Sequence, residues 1–167
     1  MSAQSKNSRR ALLGLSLAGL AGAAPAQSVE GWSPKKEVPG LKPGQSTAGQ
    51  SSEAPLLSSV IRSGHLLFLS GIGGWYPERR PEPGDARVQI QSALEIMKTT
   101  LERAGSSMDN VLKVTVALVE PEKNWELMNE GYKGFFGKIP PVRSYFGATG
   151  FRRQGQLLQV EAIAYVD

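Results

Sequence analysis

Cysteine is absent from the 167 residues and histidine occurs once, as His65. The first absence excludes disulfides, thiolate nucleophiles and thiolate zinc sites. The second leaves no His/Cys/carboxylate cluster with metal-ligand spacing. His65 falls in the turn Gly64-His65, where a solvated loop residue fits better than a member of a Ser/His/Asp group. The apolar run Ala11–Ala23 has 13 residues, well short of the ~20 that a bilayer-spanning helix needs. Acid is missing from the first 26 residues, which carry Lys6, Arg9 and Arg10. Without that segment, 16 of the 19 Lys+Arg stand against all 15 Asp+Glu, so the net charge falls from +4 to +1. A near-neutral body gives no electrostatic basis for binding nucleic acid or an anionic membrane.

What is present begins with an address. A basic head, the apolar run and the small-residue triplet Ala24-Pro25-Ala26 form a signal-peptide pattern over residues 1–26. "SRRALL" is similar to a twin-arginine export signal, with an ordinary secretory signal or an uncleaved anchor as alternatives. The expected location is the periplasm, or otherwise outside the cytoplasm, with no stable membrane span after processing. Residues 27–53 are rich in Pro, Gly, Ser and Lys and read as a linker. Trp32 is the one large apolar residue there that suits docking on the body.

The body, residues 54–167, alternates its periods. Val60-Ile61 and Leu66–Leu69 read as short strands around Ser63-Gly64. "GGWYPERRPEPGDA" reads as a loop. Ile90, Leu94, Met97, Leu101 and Ala104 recur at helical spacing, with Asp85 as N-cap and Gly105 as C-cap. Leu112, Val114, Val116 and Leu118 alternate as one face of a strand. A second helix takes Trp125, Met128, Tyr132, Phe135 and Phe136 as its stripe, Asn124 as its cap and Gly137 as its end. Strands at 142–149 and 156–166 follow the Pro140-Pro141 break. The order β-β-α-β-α-β-β implies an α+β domain, with two helices on one face of a five- or six-stranded mixed sheet. The last strand is apolar on both faces: Leu158, Val160, Ala162, Ala164 and Val166 on one, Leu157, Ile163 and Tyr165 on the other. An uncovered apolar face calls for another copy of the chain, with pockets between subunits.

Arg143 stands at the start of a strand, after a rigid Pro-Pro corner, and shares a face with Tyr145. Its fork matches a carboxylate in bidentate fashion, although a surface ion pair is the ordinary alternative. Gln159 and Glu161 lie two apart and point the same way. They suit either a polar pocket wall or a structural contact across an oligomer. Asn129 lies beside the aromatic stripe of the second helix. Ser70-Gly71 ends a strand, either turning the chain or bringing backbone N–H groups near a ligand. Arg79-Arg80 and Arg152-Arg153 read as solvated loop charge.

The stretches "SGHLLFLSG", "ALEIMKTTLERAGSSMDNVLKVTVALV", "MNEGYKGFFG", "PPVRS" and "VEAIA", in this order, resemble the Rid (YjgF-like) family of reactive-intermediate enamine/imine deaminases, from about Ala54 to Val166. The resemblance implies a chorismate-mutase-like fold, a homotrimer with interfacial pockets, and hydrolysis of 2-imino acids and their enamines to 2-keto acids and ammonia. It implies that Arg143 binds the substrate carboxylate, that Ser70, Gly71 and Asn129 line the pocket, and that no cofactor is used. Tyr145 stands two residues after Arg143, where many members have something smaller. Gln159 stands where deaminating members carry a water-orienting Glu, leaving Glu161 as the one carboxylate of the pair. A non-catalytic binder of small carboxylates is therefore the alternative function. If the twin-arginine reading holds, replacing Arg9 and Arg10 together by Lys abolishes export of the chain, measured by cell fractionation; export that continues unchanged identifies the ordinary secretory route.

Overall fold

The computed structural model describes residues 36–40 and 56–167. Residues 1–26, read above as an export signal, together with Trp32 and most of the 27–53 stretch, lie outside the described residues. Strands β1 (Val60–Ser63) and β2 (Leu66–Gly73) pair as an antiparallel hairpin. Its turn needs a positive φ, which Gly64 supplies at +60° without the steric cost that a side chain would bring. Helix α1 (Ala86–Arg103), a 3-10 turn at Met108–Asn110 and strand β3 (Val111–Val119) follow. Helix α2 (Pro121–Tyr132), β4 (Val142–Ala148) and β5 (Leu158–Tyr165) complete the chain. The sheet order is β1-β2-β5-β3-β4. Only β3 and β4 run parallel, because α2 carries the chain back between them.

The helix-covered face is the core. Ile90, Leu94, Met97 and Leu101 of α1 and Met128 of α2 are fully buried, as are Leu67, Val114, Val116, Leu118, Leu158, Val160 and Ala164 of the sheet. Each large aliphatic side chain removed from water in this way contributes about 1.5–3 kcal/mol. On the other face Phe68 is 42% and Phe146 56% exposed, as expected for a sheet covered on one side.

The ends of α1 follow the sequence reading. The Asp85 carboxylate accepts the Val88 N–H at 2.9 Å. At the other end Ser106 N–H bonds to Leu101 O and Gly105 N–H to Glu102 O, with Gly105 at φ +81°, a Schellman stop.

Four expectations change. Helix α2 starts at Pro121, whose ring suits the first helical position, so Asn124 lies inside the first turn and donates to Val119 O at 2.8 Å. The helix stops at Tyr132, because Lys133 is extended and Gly134 sits at φ +82°. Phe135 and Phe136 thus pack on the core from beyond the helix. A register shift between Val111 and Lys113 puts Val111 into the core and leaves Leu112 46% exposed. Finally, Ser70-Gly71 does not end β2. It forms a bulge between Leu69 and Ile72, and the strand runs on to Gly73.

Two of the four loop arginines, Arg80 and Arg153, turn out to be structural, while Arg79 and Arg152 are exposed as expected. Arg80 donates to Glu82 O and Pro83 O, and Trp75 Nε1 to Arg80 O. Arg153 donates to Trp75 O at 2.9 Å and Gln156 Oε1 at 2.8 Å, with its guanidinium 4.4 Å from the Tyr76 ring centre. From the linker, Glu37 pairs its backbone with Arg62 on the outer edge of β1.

The fully buried Gln89 ties these loops to α1. Its Nε2 donates to Gly155 O at 2.8 Å and Gly84 O at 3.3 Å, and its Oε1 accepts Leu157 N–H at 2.8 Å. Gln89→Leu keeps the volume but orphans these groups, and is expected to lower the folding free energy by about 2 kcal/mol or more, read as a fall in urea midpoint at constant m-value.

Candidate functional site

Register decides which candidates meet. Arg143 pairs with Val114 and Tyr145 with Val116, and both valines are fully buried in the core. Directly paired residues share a face, so Arg143 and Tyr145 stand on the helix side, at the β4 edge under α2. Thr115 pairs with both Ser144 and Glu161, and Ala117 with both Phe146 and Gln159. Gln159 and Glu161 therefore belong to the open face.

On the helix side, the half-buried Arg143 reaches toward α2. One terminal nitrogen donates to Asn129 Oδ1 at 2.7 Å, and the other lies 3.9 Å from Met128 Sδ. Its carbon stands 4.5 Å from the Tyr132 ring centre and 5.2 Å from that of Trp125. Trp125 in turn packs on Tyr145, with centroids 4.4 Å apart and planes at 46°. The ion pairs among the described residues are Arg87–Glu130, Lys98–Glu102 and Lys123–Glu120, none of which involves Arg143. A guanidinium offers five N–H donors. Asn129 and Met128 engage two, so three remain for a ligand.

The open face holds the second group. At the β2 bulge, a Cβ on Gly71 would overlap the Gln159 carboxamide. Glycine there lets Gln159 lie against the backbone. Alternation puts Ser70 on the same side as Phe68, and its N–H is held by Ser59 O at 2.9 Å. A depression of about 260 Å³ is lined by Phe68, Lys113, Thr115, Glu161 and Ile163, among others. A larger groove of about 480 Å³ between α1 and residues 107–109 and 133–135 contains none of the candidates. His65 lies outside both groups; its Nδ1 is 3.1 Å from Val166 O, tying the hairpin turn to the end of the sheet.

The structure thus brings Asn129, Arg143 and Tyr145 together, and separately Gly71 and Gln159 with Glu161 close by on the same face. A single chain does not join the two groups, because the sheet lies between them. The reading of residue types missed Trp125 and Tyr132 as neighbours of the guanidinium, assigning them to the core stripe. The signal was available: 125, 129 and 132 fall on one helical face around Asn129.

Such a molecule is an α+β protein with a one-sided helix layer and a cation held at the sheet edge. The chain belongs to the family described as Endoribonuclease L-PSP, the YjgF/RutC/RidA group, which it matches over residues 50–166. A RutC family protein of Pyrococcus horikoshii is 35% identical over 109 residues, 65% of this chain and 85% of that protein. The 2-iminobutanoate/2-iminopropanoate deaminase of Mus musculus is 29% identical over 108 residues, 64% of this chain and 78% of that protein. The crystal structure of yeast Mmf1 superposes with a TM-score of 0.61 at 26% identity, covering 69% of this chain and 90% of that one. These likenesses agree with the expected fold.

Burial also marks Tyr132, whose hydroxyl has no hydrogen-bond partner among the described residues. Desolvation pushes its pKa up to about 12, against a smaller opposing pull from Arg143. Between the ordinary phenol value near 10 and about 12, the folded chain keeps a proton that the unfolded chain releases. Stability is therefore lost as pH rises through that window. Tyr132→Phe is expected to flatten this decline and to cost little at neutral pH, measured as melting temperature against pH from 8 to 12.

Proposed function

We propose that the protein hydrolyses 2-imino acids and their enamine tautomers to 2-keto acids and ammonia, with Arg143 gripping the substrate carboxylate. The observation that carries this is a half-buried guanidinium, clamped by two rings and Asn129, with no carboxylate partner among the described residues. A charge held so firmly and left without a counter-ion is pre-organised for an anion. The family's description names a nuclease, but a body of net charge +1 offers no field for a polyanion.

The two groups of side chains come within reach of one substrate when the β4 edge of one copy abuts the open face of another. The apolar open face supports such self-association, and a homotrimer is the form proposed. In the shared pocket, the carboxylate takes the free donors of Arg143. Water adds to the electrophilic carbon of the protonated imine, giving a carbinolamine. Glu161 accepts a proton from the water and returns it to the amine. The C–N bond then breaks as the hydroxyl proton passes to Glu161, the carbonyl forms, and the departing ammonia takes up that proton and leaves as ammonium. Gln159 holds the water by hydrogen bonds and takes no proton. Uncatalysed imine hydrolysis already proceeds, so positioning and one proton relay suffice. The Gln159 carboxamide is also the observation that favours a carboxylate binder without turnover. Export, proposed from residues 1–26, would have the chain meet imines formed by amino-acid oxidation outside the cytoplasm.

The test couples an amino-acid oxidase to the purified mature protein and follows decay of the imino acid. Hydrolysis is accelerated, Arg143→Ala removes the acceleration, and Gln159→Glu raises turnover. No acceleration, together with Arg143-dependent thermal stabilisation by small keto acids, establishes the binder instead.

A further inference from the structure

The surroundings of Arg143 are asymmetric. On one side Phe136 packs on the Tyr132 ring with centroids 4.9 Å apart, and the Tyr132 hydroxyl is buried, so this ring is taken up by the protein's own packing. On the other side Trp125 touches the guanidinium and also backs Tyr145, and the Tyr145 ring is 51% exposed. The three groups form a continuous ledge whose outer surface is one half-exposed aromatic ring. Tyr145 is two residues along β4 from Arg143, about 7 Å at the strand rise. An acid anchored at the guanidinium therefore has that exposed ring within reach of the rest of its body.

We propose that Tyr145, backed by Trp125, is the specificity wall of the Arg143 site and selects 2-imino acids with a large apolar or aromatic side chain. The inference rests on Arg143 as the acid's anchor and adds the class of substrate. A methyl side chain, as in the imine of alanine, ends too near the carboxylate to cover the ring. A benzyl or isobutyl side chain reaches it and removes apolar surface of both partners from water. Ring-on-ring contact adds a preference for the benzyl group. The hydroxyl of Tyr145 takes no part, so Phe serves equally at this position.

The experiment measures kcat/KM for imines generated by an amino-acid oxidase from phenylalanine, leucine and alanine, together with equilibrium binding of phenylpyruvate and pyruvate. The wild-type protein favours the phenylalanine imine over the alanine imine by about tenfold or more, and binds phenylpyruvate correspondingly tighter than pyruvate. Tyr145→Ser brings both ratios close to one, and Tyr145→Phe keeps them. Wild-type ratios at or below one, or ratios that Tyr145→Ser leaves unchanged, overturn the proposal. Arg143-dependent preference for phenylpyruvate without turnover of any imine refutes the deaminase reading and leaves the wall standing. Loss of Arg143-dependent binding for both keto acids removes the anchor and the wall together.

Discussion

Two helices against five strands is the constraint from which the rest of this structure follows. α1 and α2 pack on the same face, so Leu67, Val114, Val116 and Val160 find cover and Phe68 and Phe146 do not. β5 lies between β2 and β3, in the middle of the order. Its alternation sends Leu158, Val160, Ala162 and Ala164 into the core and Gln159 and Glu161 outward. The same alternation on β4 sends Arg143 and Tyr145 toward the helices. The candidate residues are divided between two faces by the pleat itself, and a pocket that uses both groups has to be built from more than one copy.

Arg143 is the costly element of this arrangement. Partial burial of a guanidinium forfeits hydration, and among the described residues only neutral groups offset it. Two ring faces contribute about 0.5–2 kcal/mol each, and the bond to Asn129 adds roughly 1.5–3 kcal/mol. None of these neutralises the charge, so the field of the cation extends to whatever enters beside it. The rings on either side and the Asn129 oxygen also fix the plane of the fork, so an anion meets donors that are already aimed. Removing the rings would leave the charge but not its direction.

Legibility varied with the kind of physics each residue depends on. Periodicity and capping are local, and the core face of α1, its Asp85 cap and the β4 and β5 strands were readable from the chain. The mixed sheet with helices on one side followed from element order. The misplacements have non-local causes. Leu112 looked like a core residue because strict alternation hides the register shift beside Val111. Arg153 looked like solvated loop charge because its partner Trp75 lies 78 positions away, and nothing local marks Gln89, whose partner Gly155 lies 66 positions away. Asn129, Arg143 and Tyr145 come together; alternation put Arg143 and Tyr145 on one face, whereas Asn129 was placed near them by the family resemblance and not by its spacing. That Gln159 and Glu161 stand behind the sheet from them depends on strand pairing, which no single segment encodes.

The β2 bulge shows why Gln159 is more than a missing acid. Its carboxamide occupies the space that Gly71 leaves by having no Cβ, and Gly71 reaches that position only because one extra residue intervenes between Leu69 and Ile72. A side chain seated against backbone loses less entropy when it orders a water than one that swings free. A carboxamide offers that water a donor and an acceptor together, which a carboxylate does not. In the proposed hydrolysis it would surrender proton transfer in exchange, and that duty would fall to Glu161, one alternation away and exposed. The proposal thereby assigns positioning and proton transfer to different residues. A site so divided would gain its rate from geometry more than from basicity, which suits a reaction whose carbon is electrophilic before the protein touches it.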